Sequence, residues 1–267
     1  MSTGAAAPVL KAKDVALRYE GAARDTLTSF QFSLSKGEVV AILGSSGVGK
    51  SSLLRVLAGL QRPSAGVVET NGQVLSGVHP RLAVAFQNPC LLPWLDLERN
   101  VAFGLDFRHQ PKLTTAQRRE RVDEAIREVG LDHARKLRPS ELSGGMSQRA
   151  ALARCLARSP EVLLLDEPFG ALDEVTRSDM QQFLVRVVED TGTAAVLVTH
   201  DIDEALIVAD RIILLGGAPA TQIGDWTIDA AKPRDELSPE HAALRLEIVS
   251  RLRTAARPHT RRTEHAD

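Results

Sequence analysis

A chain of 267 residues with 43% hydrophobic and 25% charged side chains is long enough to bury a real core, as one large domain or one domain plus a lobe. Its 33 Lys and Arg against 34 Asp and Glu leave a formal charge of −1, which offers no general attraction for nucleic acid or an anionic membrane. No run reaches the ~18–20 apolar residues that span a bilayer, the N-terminus lacks a signal peptide's basic and apolar regions, and Cys90 and Cys155 are too far apart for a metal spacing, so a chain that does not itself cross a membrane, with reduced cytosolic thiols, is expected.

The opening third reads as strands. In "FQFSL" the alternation puts Phe30, Phe32 and Leu34 on one face, and after Lys36-Gly37 the run "EVVAILG" is short and continuously apolar, as a strand buried on both faces would be. A helix is predicted from about Lys50 to Leu60, stopping near Gly59 and Pro63, followed by a strand in "GVVETNG" with an Asn71-Gly72 turn. From Thr114 the pattern changes. Thr114 with Gln117 makes a capping box, Val122, Ile126 and Val129 recur at helical spacing, and Gly130 stops the helix; with a second helix opened by Ser143, this suggests a helical lobe over roughly 88–157.

Then a strand–helix rhythm returns in "EVLLLDEP", "DEVTRSDMQQFLVRVVEDTG", "AAVLVTHD", "IDEALIVAD" and "RIILLGG". Buried apolar strands alternating with helices predict an α/β fold around a mainly parallel sheet. Residues 216–267 read as an appendage, with a helix in "SPEHAALRLEIVSRLR" and a basic, disordered tail to which no function is given.

Three strand ends carry chemistry. "GSSGVGKSS" fits the phosphate-loop pattern through Gly44, Gly49, Lys50 and Ser51, between an apolar strand and a helix. Ser45, Ser46, Gly47 and Val48, with Ser52 at the helix start, belong to a nucleotide-binding loop whose N–H groups close around phosphates, Lys50 adds a cation, and the Ser51 hydroxyl suits Mg2+. "VLLLDEP" ends in Asp166 and Glu167, one carboxylate suited to Mg2+ and the other to deprotonating water. "VLVTHD" delivers His200 to the same edge; alone it would be a surface or capping residue, but here a neutral donor near a γ-phosphate is the better reading. None of Asn71, Asn88 and Asn100 precedes a lysine, so a guanine-reading Asn-Lys-x-Asp element is unsupported and adenine is favoured. Tyr19, the single tyrosine, either stacks on a base or packs on an edge strand. Ser143 is a good N-cap, and Gly144 and Gly145 strip side chains from the helix end behind it, leaving either an anion site or a tight turn.

Together these residues resemble the ATP-binding subunits of ABC transporters, over roughly residues 9–215. "GSSGVGKS" looks like Walker A, Gln87 in "AFQNP" the Q-loop, "LSGGM" the signature, "VLLLDEP" Walker B, Ala171 to Asp173 the D-loop, and His200 the switch histidine. The resemblance implies a P-loop core of residues 1–215 with an N-terminal antiparallel β part and the helical lobe inserted in it. It further implies an ATP-sandwich homodimer in which Ser143, Gly144 and Gly145 cap the γ-phosphate of the opposite chain and Asp173 couples the two sites. Lys50 would contact the β and γ phosphates, Ser51, Gln87 and Asp166 would attend Mg2+, Glu167 would be the general base, and Tyr19 would stack on adenine. Met146 departs from the family's usual Gln and puts that side chain's contacts in doubt.

"PCLLPWLDLERNVAFGL", with Trp94, is either core at a lobe junction or, by the resemblance, the groove for a membrane permease helix. "LLPWLDLERNVAFGL" and the C-terminal "RDELSPEHAALRLEIVSRLR" are similar to the nitrate, sulfonate and taurine branch of bacterial importers. That implies an ATP hydrolase on the cytoplasmic face of the inner membrane, working with permease subunits and, indirectly, an extracytoplasmic solute-binding protein, with no nucleic acid as partner. The alternatives are a soluble ABC ATPase of translation or DNA repair, or an exporter ATPase.

Overall fold

The computed structural model describes residues 7–19, 21–170, 172–232, 234 and 238–256. Three strands open the chain, β1 (Leu10–Leu17), β2 (Leu27–Leu34) and β3 (Val39–Gly44), followed by helix α1 (Lys50–Leu57) and strands β4 (Ala65–Thr70), β5 (Gln73–Val74) and β6 (Leu82–Ala85). The helical stretch holds α2 (Leu97–Ala102), α3 (Thr115–Glu128) and α4 (Gly144–Leu156). Strand β7 (Val162–Asp166), α5 (Glu174–Thr191), β8 (Ala194–Thr199), α6 (Ile202–Val208), β9 (Arg211–Gly216), β10 (Thr221–Thr227) and α7 (Pro239–Ala256) complete it.

A six-stranded sheet in the order β10-β9-β3-β8-β7-β6 forms the centre. All its pairings are parallel except that of β10, which runs antiparallel to β9. Because side chains alternate along a strand, the buried runs feed two cores. Val39, Ala41, Leu43, Leu163, Leu165, Ala195 and Leu197 enter one, shared with α2 to α7; Val40, Ile42, Val162, Leu164, Val196 and Val198 enter the other, shared with α1 and a second sheet. That second, antiparallel sheet has the order β2-β1-β4-β5, and Phe30, Phe32 and Leu34 line its inner face as the alternation requires.

Helix α1 stops three residues before the expected Leu60, because Ala58 caps it and Gly59 turns the chain at φ 71°. The capping box of α3 forms between Thr114 and Gln117, and Asn71 and Gly72, both at positive φ, join β4 to β5. The stretch after residue 215 begins by extending the sheet through β10, and α7 sends Ile248 into the core. The basic tail from residue 257 lies outside the described residues. Cys155 is buried, which pushes its thiol up to about 11, whereas Cys90 is exposed. Among the described residues no helix is long and apolar enough to cross a membrane.

Candidate functional site

The parallel register aligns the C-terminal ends of β3, β7 and β8, with Leu43, just before Gly44, beside Thr199, and Asp166 beside Val198. Ligands in open α/β sheets sit at this edge. Between β3 and α1 the chain makes a tight loop, exposed at Ser45, Ser46 and Gly47, that closes on Gly49 at φ 101°, a conformation other residues rarely adopt. Lys50 leads the helix with its ammonium folded back across the loop, donating to Gly44 O (2.7 Å) and Ser45 O (3.2 Å). Burial pushes this ammonium's pKa down, with Glu167 and Asp166 opposing the shift. A cation folded back over a glycine-bearing loop and backed by a helix N-terminus is an arrangement able to cradle a polyanion.

Ser51 Oγ donates to Asp166 Oδ1 at 2.9 Å. Burial pushes the Asp166 carboxyl up, and the Ser51 hydrogen bond opposes it. A hydroxyl and a carboxylate oxygen side by side are the hard donors Mg2+ prefers. Among the described residues no three His, Cys, Asp or Glu side chains gather as a metal site of their own, so a cation held here would complete its shell with phosphate and water.

Glu167 follows Asp166 at φ 47°, a left-handed conformation that costs a non-glycine residue ~1–2 kcal/mol. Its N–H donates to Val198 O at 2.8 Å, which fixes the turn. Each carboxylate oxygen then meets a different segment: Oε2 accepts from Gln87 Nε2 at 3.0 Å, and Oε1 lies 3.1 Å from His200 Nδ1. Two side chains more than a hundred positions apart, Gln87 and His200, thus converge on one carboxylate. Tyr19, just past β1, is half exposed, and its hydroxyl lies 2.9 Å from Ser52 Oγ at the start of α1. This leaves a ring face open beside the phosphate loop.

Ser143 caps α4 by accepting from Met146 N (3.2 Å), and both Ser143 and Gly144 are exposed. Gly145 has a different task within its own chain: a Cβ there would meet Thr176 Cγ2 at 2.9 Å and Leu172 Cδ2 at 3.5 Å. Met146 packs partly buried against the core. Asp173 caps α5, and hydrogen bonds from the Thr176 backbone and hydroxyl hold its carboxyl below the usual range. Among the described residues no hydrogen bond joins Ser143, Gly144, Gly145 or Asp173 to the Lys50–Glu167–His200 group. Ala171 lies outside the described residues.

Trp94 is 68% exposed, so it is not core at a lobe junction. The stretch is held by a residue that sequence reasoning missed. Asn100, fully buried in α2, accepts from Leu92 N and donates to the carbonyls of Leu92, Leu95 and Asp96. Its only sequence signal is an amide four residues after the helix-capping Asp96. Arg154 of α4 also grips this loop, donating to the carbonyls of Pro89 and Cys90. Phe103 and Phe107, both exposed, pair edge to face at 5.2 Å.

A family profile described as ABC transporter matches residues 27–170. An aliphatic sulfonates import ATP-binding protein, SsuB 1 of Xanthomonas axonopodis pv. citri, is 46% identical over 223 residues, covering 83% of this chain and 87% of the relative. The bicarbonate transport ATP-binding protein CmpC of Synechocystis sp. is 45% identical over 228 residues, which is 84% of this chain but 34% of CmpC, so the chain spans about a third of that relative's length. Among solved structures, the dimeric post-hydrolysis state of the ATP-binding cassette MJ0796 bound to ADP and Pi aligns with a TM-score of 0.74 at 29% identity, over 83% of this chain and all of that one.

Proposed function

Because the chain belongs to the ABC transporter family, we propose that it is the ATP-hydrolysing subunit of a bacterial importer that takes up a small anion such as an aliphatic sulfonate, taurine or nitrate. The observation that carries the hydrolytic part is the engagement of both Glu167 oxygens, by Gln87 and by His200, beside the Lys50 loop. A carboxylate held this way is aimed, and a base aimed at a water in line with a γ-phosphate is what phosphoryl transfer requires.

In this reading Tyr19 stacks on adenine, the loop from Gly44 to Ser52 wraps the phosphates, and Lys50 leaves the Gly44 and Ser45 carbonyls for the β and γ oxygens. Ser51, Asp166 and Gln87 hold Mg2+, which when bound neutralises charge on the β and γ phosphates. Glu167 accepts the proton of the attacking water as its oxygen bonds to the γ-phosphorus and the β–γ bridging oxygen leaves with ADP. His200 keeps the carboxylate oriented. Exposed Ser143 and Gly144, which make no hydrogen bond to this cluster among the described residues, cap the γ-phosphate of a second copy, so two sites share one homodimer interface, and Asp173 couples them. The dimer of MJ0796 supports this arrangement.

The exposed Trp94, Phe103 and Phe107 beyond Gln87 form an apolar surface suited to a permease helix. Arg154 ties that surface to α4, so closure around ATP reaches the permease. The chain then sits on the cytoplasmic face of the inner membrane, and an extracytoplasmic binding protein delivers the anion. The names of both relatives favour transport over a soluble role, and that of the Xanthomonas relative favours import over export. The test is recovery of the tagged chain from its own detergent-solubilised membranes, with partners identified by mass spectrometry. A multi-spanning permease supports the reading; ribosomal or DNA-repair proteins alone overturn its transport half.

A further inference from the structure

Behind His200 lies a buried carboxylate that the mechanism above does not use. Glu204, on α6, is only 4% exposed, and its Oε2 accepts from Thr199 Oγ1 at 2.8 Å. The same hydroxyl accepts from Asp201 N at 3.0 Å. Thr199 and Asp201 flank His200, so one side chain holds the peptide on both sides of the histidine that meets Glu167. Burial pushes the Glu204 carboxyl up, opposed by the Thr199 hydrogen bond and by Arg177.

The other Glu204 oxygen faces α5. Oε1 lies 3.8 Å from Arg177 Nε, an N–H that is buried and has no hydrogen-bond partner. Arg177 also donates through Nη2 to Leu172 O at 3.2 Å, in the turn leading to Asp173. Its neighbour Thr176 is the residue against which Gly145 packs. A continuous path of contacts therefore runs from the double-glycine helix end, through Thr176, the Leu172 turn, Arg177, Glu204 and Thr199, to His200 and Glu167. The Arg177–Glu204 step is its loosest link, since a shift of about 1 Å turns a 3.8 Å ion pair into a hydrogen bond.

We infer that Glu204 and Arg177 are positioning residues that set His200 according to the state of the Leu172–Asp173 turn, so that the helix end serving one nucleotide biases the base serving the other. This rests on the reading of Glu167 and His200 as the hydrolytic centre. The charge of Glu204 is needed only for Arg177, because an uncharged amide oxygen accepts the Thr199 hydrogen bond equally well. Glu204→Gln therefore cuts the path while keeping the His200 peptide tethered.

The experiment measures steady-state ATP hydrolysis and MgATP binding for wild type, Glu204→Gln, Arg177→Met and the double variant. Each single change lowers kcat about 10-fold, while KM and the MgATP Kd stay within about 3-fold, and the double variant is no slower than the slower single one. A merely structural role would lower the folded fraction and leave the kcat of bound protein alone. If Glu204→Gln does not fold, Thr199→Val and Arg177→Met probe the same path from its two ends and show the same kcat-selective loss. Wild-type kcat in the soluble variants, or multiplying effects in the double variant, overturns the inference. Absence of hydrolysis by the wild type instead overturns the reading of the site, and the inference with it.

Discussion

Gly145→Ala tests how the double-glycine helix end is built. The added methyl would sit 2.9 Å from Thr176 Cγ2, against an ordinary carbon–carbon contact of ~3.5–4.0 Å, while its 3.5 Å approach to Leu172 Cδ2 is tolerable. Thr176 cannot simply rotate away, because its hydroxyl donates to Asp173 Oδ2 at 2.8 Å in the cap of α5. Overpacking of this kind costs ~1–3 kcal/mol, and the better helix propensity of Ala returns at most ~1 kcal/mol. At 2.9 Å the clash lies in the upper part of that range, ~2–3 kcal/mol, so the net loss is ~1–3 kcal/mol, which at ~2–4 °C per kcal/mol lowers Tm by ~2–12 °C. Thermal unfolding of the nucleotide-free protein measures it, with Gly145→Ala/Thr176→Ser as the control: serine keeps the hydroxyl and removes Cγ2, so Tm should recover. An unchanged Tm in Gly145→Ala, or no recovery in the double variant, refutes the packing argument. ATP turnover of the same pair then separates two roles. Turnover that stays low once stability returns assigns the glycine to the opposite chain's phosphate, and recovered turnover assigns it to packing alone.

Glu167→Gln should reduce ATP turnover by at least ~100-fold while MgATP still binds, and size-exclusion chromatography with MgATP should show a trapped dimer; wild-type turnover sinks the base assignment. Asp166→Asn should raise the Tm of the nucleotide-free protein at pH 7. The folded carboxyl titrates above its ordinary 3.8 because it is buried, so at neutral pH the folded state bears the cost of an ionised buried group. That cost fades as pH falls through the raised folded value towards 3.8, and with it the advantage of Asn; an advantage that grows on acidification contradicts the argument. Trp94→Ala should change unfolding free energy by no more than ~0.5 kcal/mol, because the side chain is exposed, yet should reduce co-purification of a permease; loss of stability would mean the ring packs inside after all.

Much of the fold was legible locally. A six-residue apolar run such as "VVAILG" has one economical fate, a strand covered on both faces, and the capping box at Thr114 and Gln117 fixes where α3 begins. Short elements were harder. β6 has four residues and α2 six, too few for a period to declare itself, and both are held by their neighbours: β6 by its parallel pairing with β7, α2 by the Asn100 amide. β10 was hidden for a similar reason. "TQIGDWT" is only partly buried along its length, and its place follows from the free edge of β9.

The proposed phosphate loop was legible in local order, because its glycines, Lys50 and Ser51 fall within one turn between a strand and a helix. What the order of residues alone determined was therefore the list of reactive groups and the strand ends that carry them. Their partnership was decided by tertiary structure. Gln87, Glu167 and His200 lie on three segments brought together only by the parallel register of β6, β7 and β8. The role of Gly145 in its own chain depends on a methyl group of Thr176, which follows it by 31 positions and lies on another helix. No sequence pattern marks Glu204 among the acids at the start of α6, and it becomes a structural carboxylate only once β8 and α5 have closed over it. Local patterns encode propensity and reactivity because those act over a few residues; distance between segments is fixed by the packing of the whole core.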